Sequence, residues 1–167
     1  STFDHPLSSR YEEIDSIVVF DNVLVPWERV FFYSNEEVAT SFLTQSSFHH
    51  FAKYQALIRQ IVKTEFILGI AELLANTINV TEYQHIQGKM SEIIIGLETM
   101  KALLEKAENN AALNDYGYMC PDITSLKVAG CIFPKIYPRF VEIIQIIGAS
   151  GMITLPTENA FHSADIR

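Results

Sequence analysis

Residues 51–78 read FAKYQALIRQIVKTEFILGIAELLANTI, and whether this stretch is helix or strand decides the fold. Phe51, Tyr54, Ile58, Ile61, Val62, Leu68 and Leu73 recur at spacings of three and four, with Glu65 in the same series. That is the 3.6-residue period of a helix, not the two-residue alternation of a strand. No proline falls between Pro26 and Pro121 to interrupt it, so the pattern predicts one long helix from about Ser47 to about Ile78.

The same periodicity continues outward. Asn79-Val80-Thr81-Glu82 reads as a turn with Thr81 as the next cap. Ile86, Met90, Ile93, Ile94, Leu97, Met100, Leu103, Leu104 and Ala107 then mark a second helix, antiparallel to the first, ending near Asn109-Asn110. LNDYGYMCPDITS, with Gly117 and Pro121, reads as a loop. Asp122 or Thr124 can cap a third helix reaching about Ile147, either kinked at Pro134 or Pro138 or beginning in earnest only after one of them. Before the bundle, Ser34 and Glu37 form a capping-box pattern for a short helix to about Leu43. Residues 14–33, IDSIVVFDNVLVPWERVFFY, are rich in Val, Ile and Phe and read as two short strands around Asp21-Asn22. The expected fold is therefore mainly α, an antiparallel helical bundle over 34–167 preceded by a short β-ribbon over 1–33. A lone ribbon is marginal and three wide apolar helices want a fourth, so partner elements are expected outside residues 1–167.

The chain has 167 residues, 49% hydrophobic and 19% charged, a globular composition with room for one core. Twelve Lys and Arg against 20 Asp and Glu give a net charge of -8, with the basic residues scattered, which argues against nucleic acid or anionic membrane as partner. Cys120 and Cys131 have neither metal-ligand spacing nor a disulfide framework, and a reducing cytoplasm is expected. Lys63, Glu65, Glu72, Glu98, Lys135 and Arg139 interrupt the apolar runs, so neither a signal peptide nor a membrane span is read. His49-His50 has no Cys, Asp or Glu one turn on, since Lys53 and Tyr54 stand there, and no metal is expected. Arg59 and Lys63, one turn apart, can meet a phosphate or form a solvated ion-pair face with Glu65 and Glu72.

Three stretches, FDNVLVPWERVF (20–31), RQIVKTEFILGIAELL (59–74) and QIIGASGMITLPTENAF (145–161), closely resemble the C-terminal part of the two-component flavin hydroxylase family typified by the 4-hydroxyphenylacetate 3-monooxygenase oxygenase component. More distantly, the strand ending in Val-Pro, the helical bundle and the Gln-x-x-Gly-x-x-Gly pattern are similar to the C-terminal half of the acyl-CoA dehydrogenase fold. The resemblance implies an enzyme that takes reduced FAD from a separate flavin reductase, activates O2 on it, and hydroxylates a phenol beside its existing hydroxyl. It implies a homo-oligomer, dimer or tetramer. It also implies that the groups holding the phenol belong mostly to a portion before Ser1, so no catalytic residue is assigned. A 4-hydroxybutyryl-CoA dehydratase-type flavoenzyme is a related alternative, disfavoured because cluster ligation needs cysteines that do not follow His49 and His50. The other alternative is a helical oligomerisation module with no activity of its own.

The cofactor-binding candidates are Gln145, Gly148, Ala149, Ser150 and Gly151, with Gln87 as a further one. A Gly-Ala-Ser-Gly run leaves backbone N–H groups uncovered by large side chains, which suits the oxygens of a ribose or pyrophosphate. Because this run follows a helix, hydrogen bonding is expected rather than capture by a helix N-terminus. Gln145 and Gln87 resemble glutamines that lie near the flavin in the related proteins. The plain structural readings stay beside these: Gly148 as a helix C-cap, Gln145 and Gln87 as surface residues.

Overall fold

The computed structural model of the chain describes residues 2–11 and 16–164, with the Thr44 side chain outside the description. It divides into two compact units, 34–149 and 1–33 with 150–167.

In the first unit, α1 (Glu36–Gln45) is followed by three long helices: α2 (Phe48–Thr77), α3 (Gln84–Asn109) and α4 (Ile123–Ile153), the last crossing into the second unit. The predicted helical periods are all realised, and the faces they mark meet in two layers. Ile67, Ala71 and Ala75 of α2 pack with Ile86 and Ile93 of α3 and with Phe140, Ile143 and Ile147 of α4. Leu57 and Ile61 pack with Leu97, Met100 and Ala107 and with Leu126 and Ala129. The late part of α2 thus meets the early part of α3 and the late part of α4, so α3 runs antiparallel to both neighbours. At the tightest point of the bundle, a Cβ on Gly96 would lie 2.3 Å from Phe140 Cζ, so only glycine lets α4 come this close.

Helix ends follow from local chemistry. α2 closes in a Schellman motif: Asn79 takes φ 56, its N–H donates to Asn76 O (3.1 Å), and Val80 N–H reaches Ala75 O (2.9 Å). Val80 then packs on the first core layer. Asp122 caps α4, accepting the N–H groups of Thr124 (3.1 Å) and Ser125 (2.9 Å) and the Ser125 hydroxyl (2.6 Å). Two expected caps lie elsewhere. Ser34 sits at φ 50 and Asn35 caps α1 instead, accepting from Val38 N–H (3.0 Å). α3 begins at Gln84, and Thr81 serves through its carbonyl, which accepts from Gln87 Nε2 (3.1 Å).

The prolines do not break α4. Among its residues only Ala149 departs from helical φ/ψ, and the helix passes through Pro134 and Pro138. The carbonyls that lose their donors belong to Gly130 and Pro134, which like the prolines lie on the exposed side where water can replace the bond. By length and composition alone α4 could cross a membrane, but its inner face carries core residues of the bundle and Arg139 is ion-paired on its surface.

The β-ribbon expected over 14–33 is not formed among the described residues. Ile14 and Asp15 lie outside the described residues; residues 16–33 enter no strand pair, bend at Asn22 (φ 49) and make a 3-10 turn at Trp27–Arg29. Ile17, Leu24 and Phe31 are 95%, 90% and 97% exposed, so nothing in the described chain covers this strand-like sequence. The one antiparallel ribbon among the described residues joins β1 (Ala112–Leu113) to β2 (Met119–Cys120). In the second unit, α5 (Glu158–Phe161) is capped by Thr157 and tied to the N-terminal segment, where Asp4 Oδ1 accepts from Glu158 N–H (2.8 Å) and Phe3 lies 5.6 Å from Phe161.

Candidate functional site

The stretch that carries the flavin candidates emerges from the core. Ile143 and Ile147 are buried in the first layer and fix the register of α4, and Gly148 is buried directly after them. Gln145, on the opposite side of the helix, is exposed, as are Ala149, Ser150 and Gly151. Ile86 and Ile147 share the same core layer, so Gln87 lies at the same end of the bundle as Gln145 and Gly148. Gln87 is exposed and its amide donates to Thr81 O, closing the turn into α3.

Gly148–Gly151 is not a loop. α4 halts at one residue, Ala149, with φ 44 and ψ -135, and resumes for a short turn in which Thr154 N–H donates to Ser150 O (3.1 Å). The conformation expected of a glycine is held by the alanine: Gly117 is the described glycine with positive φ. A Cβ placed on Gly151 meets nothing within 4 Å, so this position is open to an approaching group. No charged side chain occurs from 143 to 157. The preceding charges are already engaged: Arg139 bonds Glu92 through Nε (2.8 Å) and Nη2 (3.0 Å), and reaches Glu142 through Nη1 (2.9 Å). Glu92 is held below the usual carboxylate range by that guanidinium. The stretch therefore offers neutral hydrogen-bonding groups and open backbone, which suits the ribose and ring portions of a flavin nucleotide; neutralising its phosphates requires cations from elsewhere.

Elsewhere, His50 Nδ1 donates to Pro121 O (2.9 Å), which commits that nitrogen, and among the described residues no three His, Cys, Asp or Glu are grouped to hold a metal. Lys63 lies over the Tyr137 ring (5.6 Å), and Glu65 pairs with Lys101 (2.9 Å) rather than with Lys63. A cleft of about 370 Å³ opens between α1 and the β1–β2 turn, lined in part by Val38, Phe42, Tyr116 and Tyr118. Sequence periodicity gave no signal for it, because it depends on the Asn114 side chain folding the turn by accepting the N–H groups of Tyr116 and Tyr118.

A three-helix bundle broken at a Gly-Ala-Ser-Gly segment and preceded by an unpaired strand-like arm is the class of domain defined here. The profile described as 4-hydroxyphenylacetate 3-hydroxylase C terminal matches residues 39–167, and the one described as 4-hydroxyphenylacetate 3-hydroxylase N terminal matches residues 1–32. The chain belongs to the 4-hydroxyphenylacetate 3-hydroxylase family. It is 67% identical over 163 residues to a Bacillus subtilis (strain 168) protein named probable 4-hydroxyphenylacetate 3-monooxygenase, covering 98% of this chain and 34% of that one. It is 47% identical over 162 residues to a Thermus thermophilus 4-hydroxyphenylacetate 3-monooxygenase oxygenase component, covering 96% and 34%. A crystal structure of such an oxygenase component complexed with FAD superposes with a TM-score of 0.87 at 45% identity, covering 98% of this chain and 35% of that one. Another, complexed with FAD and 4-hydroxyphenylacetate, also gives 0.87, covering 98% and 34%. The chain thus spans about a third of the length of these relatives.

Proposed function

We propose that this chain is the C-terminal, FAD-contacting domain of a reduced-flavin-dependent aromatic monooxygenase that converts 4-hydroxyphenylacetate or a similar phenol to a catechol. The observation that carries the reading is the interrupted end of α4, where exposed Gln145, open Gly151 and the Ala149 break lie on a stretch without charge. Reduced FAD, delivered by a separate flavin reductase, supplies the oxygen-activating chemistry when bound. The residues of this chain bind and orient. The Gln145 amide offers one donor group and one acceptor, the Ser150 hydroxyl a second polar contact, and Gly151 lets a ring or sugar come close to the backbone, while buried Gly148 anchors the stretch in the core. Gln87, at the same end of the bundle, is a weaker contact because its amide already serves α3. Phenol recognition and cationic phosphate contacts are assigned to the two thirds of the relatives' length that this chain does not span. Residues 1–33 then belong to the sheet-bearing middle part of such a protein, and the working enzyme is a cytoplasmic homo-oligomer.

The alternative reading, a helical assembly module inactive alone, is favoured by the outer face of α2, where Ile58, Val62, Phe66 and Leu73 are all exposed. Anaerobic titration of the chain with reduced FAD, followed by anisotropy, separates the two. Gly151→Val is the informative variant, since the position is open and tolerates the side chain without repacking, whereas Gly148 is buried. Saturable binding weakened at least tenfold in Gly151→Val supports the flavin wall. Absence of binding by the folded chain supports the module.

A further inference from the structure

We propose that the cleft between α1 and the β1–β2 turn binds a small organic cation, an ammonium or guanidinium group on an apolar body held among the rings of Phe42, Tyr116 and Tyr118. The cleft is built wholly within the 34–149 unit. Its two walls are tied together: Asn114 Nδ2 donates to Ser47 Oγ (2.9 Å), between α1 and α2, while Asn114 Oδ1 accepts the N–H groups of Tyr116 (3.0 Å) and Tyr118 (2.9 Å). Gly117 takes φ 81 and its N–H donates to Asn114 O (2.9 Å), closing the turn that presents both tyrosines. Phe42, on the facing wall, lies 5.8 Å from Phe48. The three rings stay more than half exposed around about 370 Å³, the size of a small-molecule site. Charge then selects the ligand. No Lys or Arg occurs over 30–52 or 107–126, the stretches that supply the walls, whereas Glu36, Glu37, Glu108, Asp115 and Asp122 do. Glu108 accepts the Tyr54 hydroxyl (2.6 Å) and Asp122 caps α4, which leaves Glu36, Glu37 and Asp115 outside every described ion pair. Glu37 stands one turn before Ser41, and Asp115 stands between Asn114 and Tyr116, all three of which line the cleft. Neither histidine of these stretches lines it, and His50 is committed to Pro121 O. Ring faces attract a cation and the adjacent carboxylates add to that field, so a cation gains where a neutral ring gains only burial and an anion is repelled. The net charge of -8 acts in the same direction. The cleft adjoins the start of α2 and the flavin candidates Gln87 and Gln145 its far end; α2 has 30 residues, which separates the two places by roughly 40 Å.

Three probes with one body and different charge test this: 2-phenylethylammonium, 2-phenylethanol and phenylacetate. Each is titrated into the whole chain labelled with 3-fluorotyrosine, and fluorine NMR follows Tyr116 and Tyr118, assigned from their Tyr→Phe variants. The expected result is a saturable shift of both resonances with the ammonium, binding at least about tenfold weaker with the alcohol, and no shift with phenylacetate. Phe42→Leu, which removes a ring, and Asp115→Asn, which removes a charge from an exposed turn, should each weaken the ammonium about threefold or more at unchanged helix content. Asp115→Asn leaves the bundle untouched, so it decides the matter even if Phe42→Leu perturbs α1. Equal affinity for the ammonium and the alcohol would make the cleft an ordinary apolar groove and overturn the proposal. So would an affinity indifferent to Asp115→Asn, the absence of any shift at Tyr116 and Tyr118, or binding of a lysine-bearing peptide where the free ammonium does not bind.

Discussion

The Asp122 carboxylate accepts three hydrogen bonds from Thr124 and Ser125, and these hold its pKa at about 2, below the usual carboxylate range. Because the folded value is depressed, the stability this group contributes is fully present above about pH 4 and is lost as the pH falls from about 4 towards 2. Asp122→Ala is expected to cost about 1 kcal/mol at pH 7, a fall of about 2–4 °C in midpoint. In urea titrations at pH 7 and pH 2.5 the gap between wild type and variant should narrow at the acid end; a gap independent of pH would show that the cap does not act through its charge. This cap was readable, since Asp before a helical period is a direct signal. Ser34 and Thr81 carried the same signal and were passed over because Asn35 and the Tyr83 turn offer the competing starts. Ala149 was not readable as the departure from helical angles: sequence logic gives conformational freedom to Gly148 and Gly151, whereas the non-helical φ/ψ falls on the alanine between them.

Between elements, the contact of α3 with α4 depends on the missing side chain of Gly96. Adding a methyl forces the Phe140 ring, itself 2% exposed, out of its place. Overpacking of this kind costs about 1–3 kcal/mol, of which the better helix propensity of alanine returns about 1. Gly69 lies in α2 with nothing within 4 Å of an added Cβ, so there the propensity gain stands alone. Gly96→Ala should therefore lower the thermal midpoint and Gly69→Ala raise it, as followed by circular dichroism; a rise in both would mean that α3 and α4 do not approach this closely. The helices themselves were legible because α2, α3 and α4 each display an apolar stripe of period 3.6. That α4 passes unbroken through its prolines was not, since the solvent-facing placement of Pro134 and Pro138 depends on how α4 is rotated in the bundle. The ribbon over 14–33 failed for the opposite reason: its residues suit a strand, but pairing needs a partner that the described residues do not supply.

At the scale of the whole molecule, α2 is apolar on its outer side as well as its inner one, and Ile58, Val62, Phe66 and Leu73 follow one another along the exposed stripe. A helix apolar all round is normally buried. The chain is expected to sediment as a dimer or larger species, and Val62→Glu with Leu73→Glu should shift it to monomer while leaving helix content unchanged. A monomeric wild type would assign that stripe to another part of a longer chain. Contact between flavin and the interrupted end of α4 is tested by amide hydrogen exchange with and without reduced FAD under anaerobic conditions. Flavin-dependent protection is expected in residues 145–152, with the β1–β2 turn and the outer stripe of α2 unchanged. Protection confined to the cleft beside Tyr116 and Tyr118, or absent from 145–152 while FAD is demonstrably bound elsewhere on the chain, would contradict it.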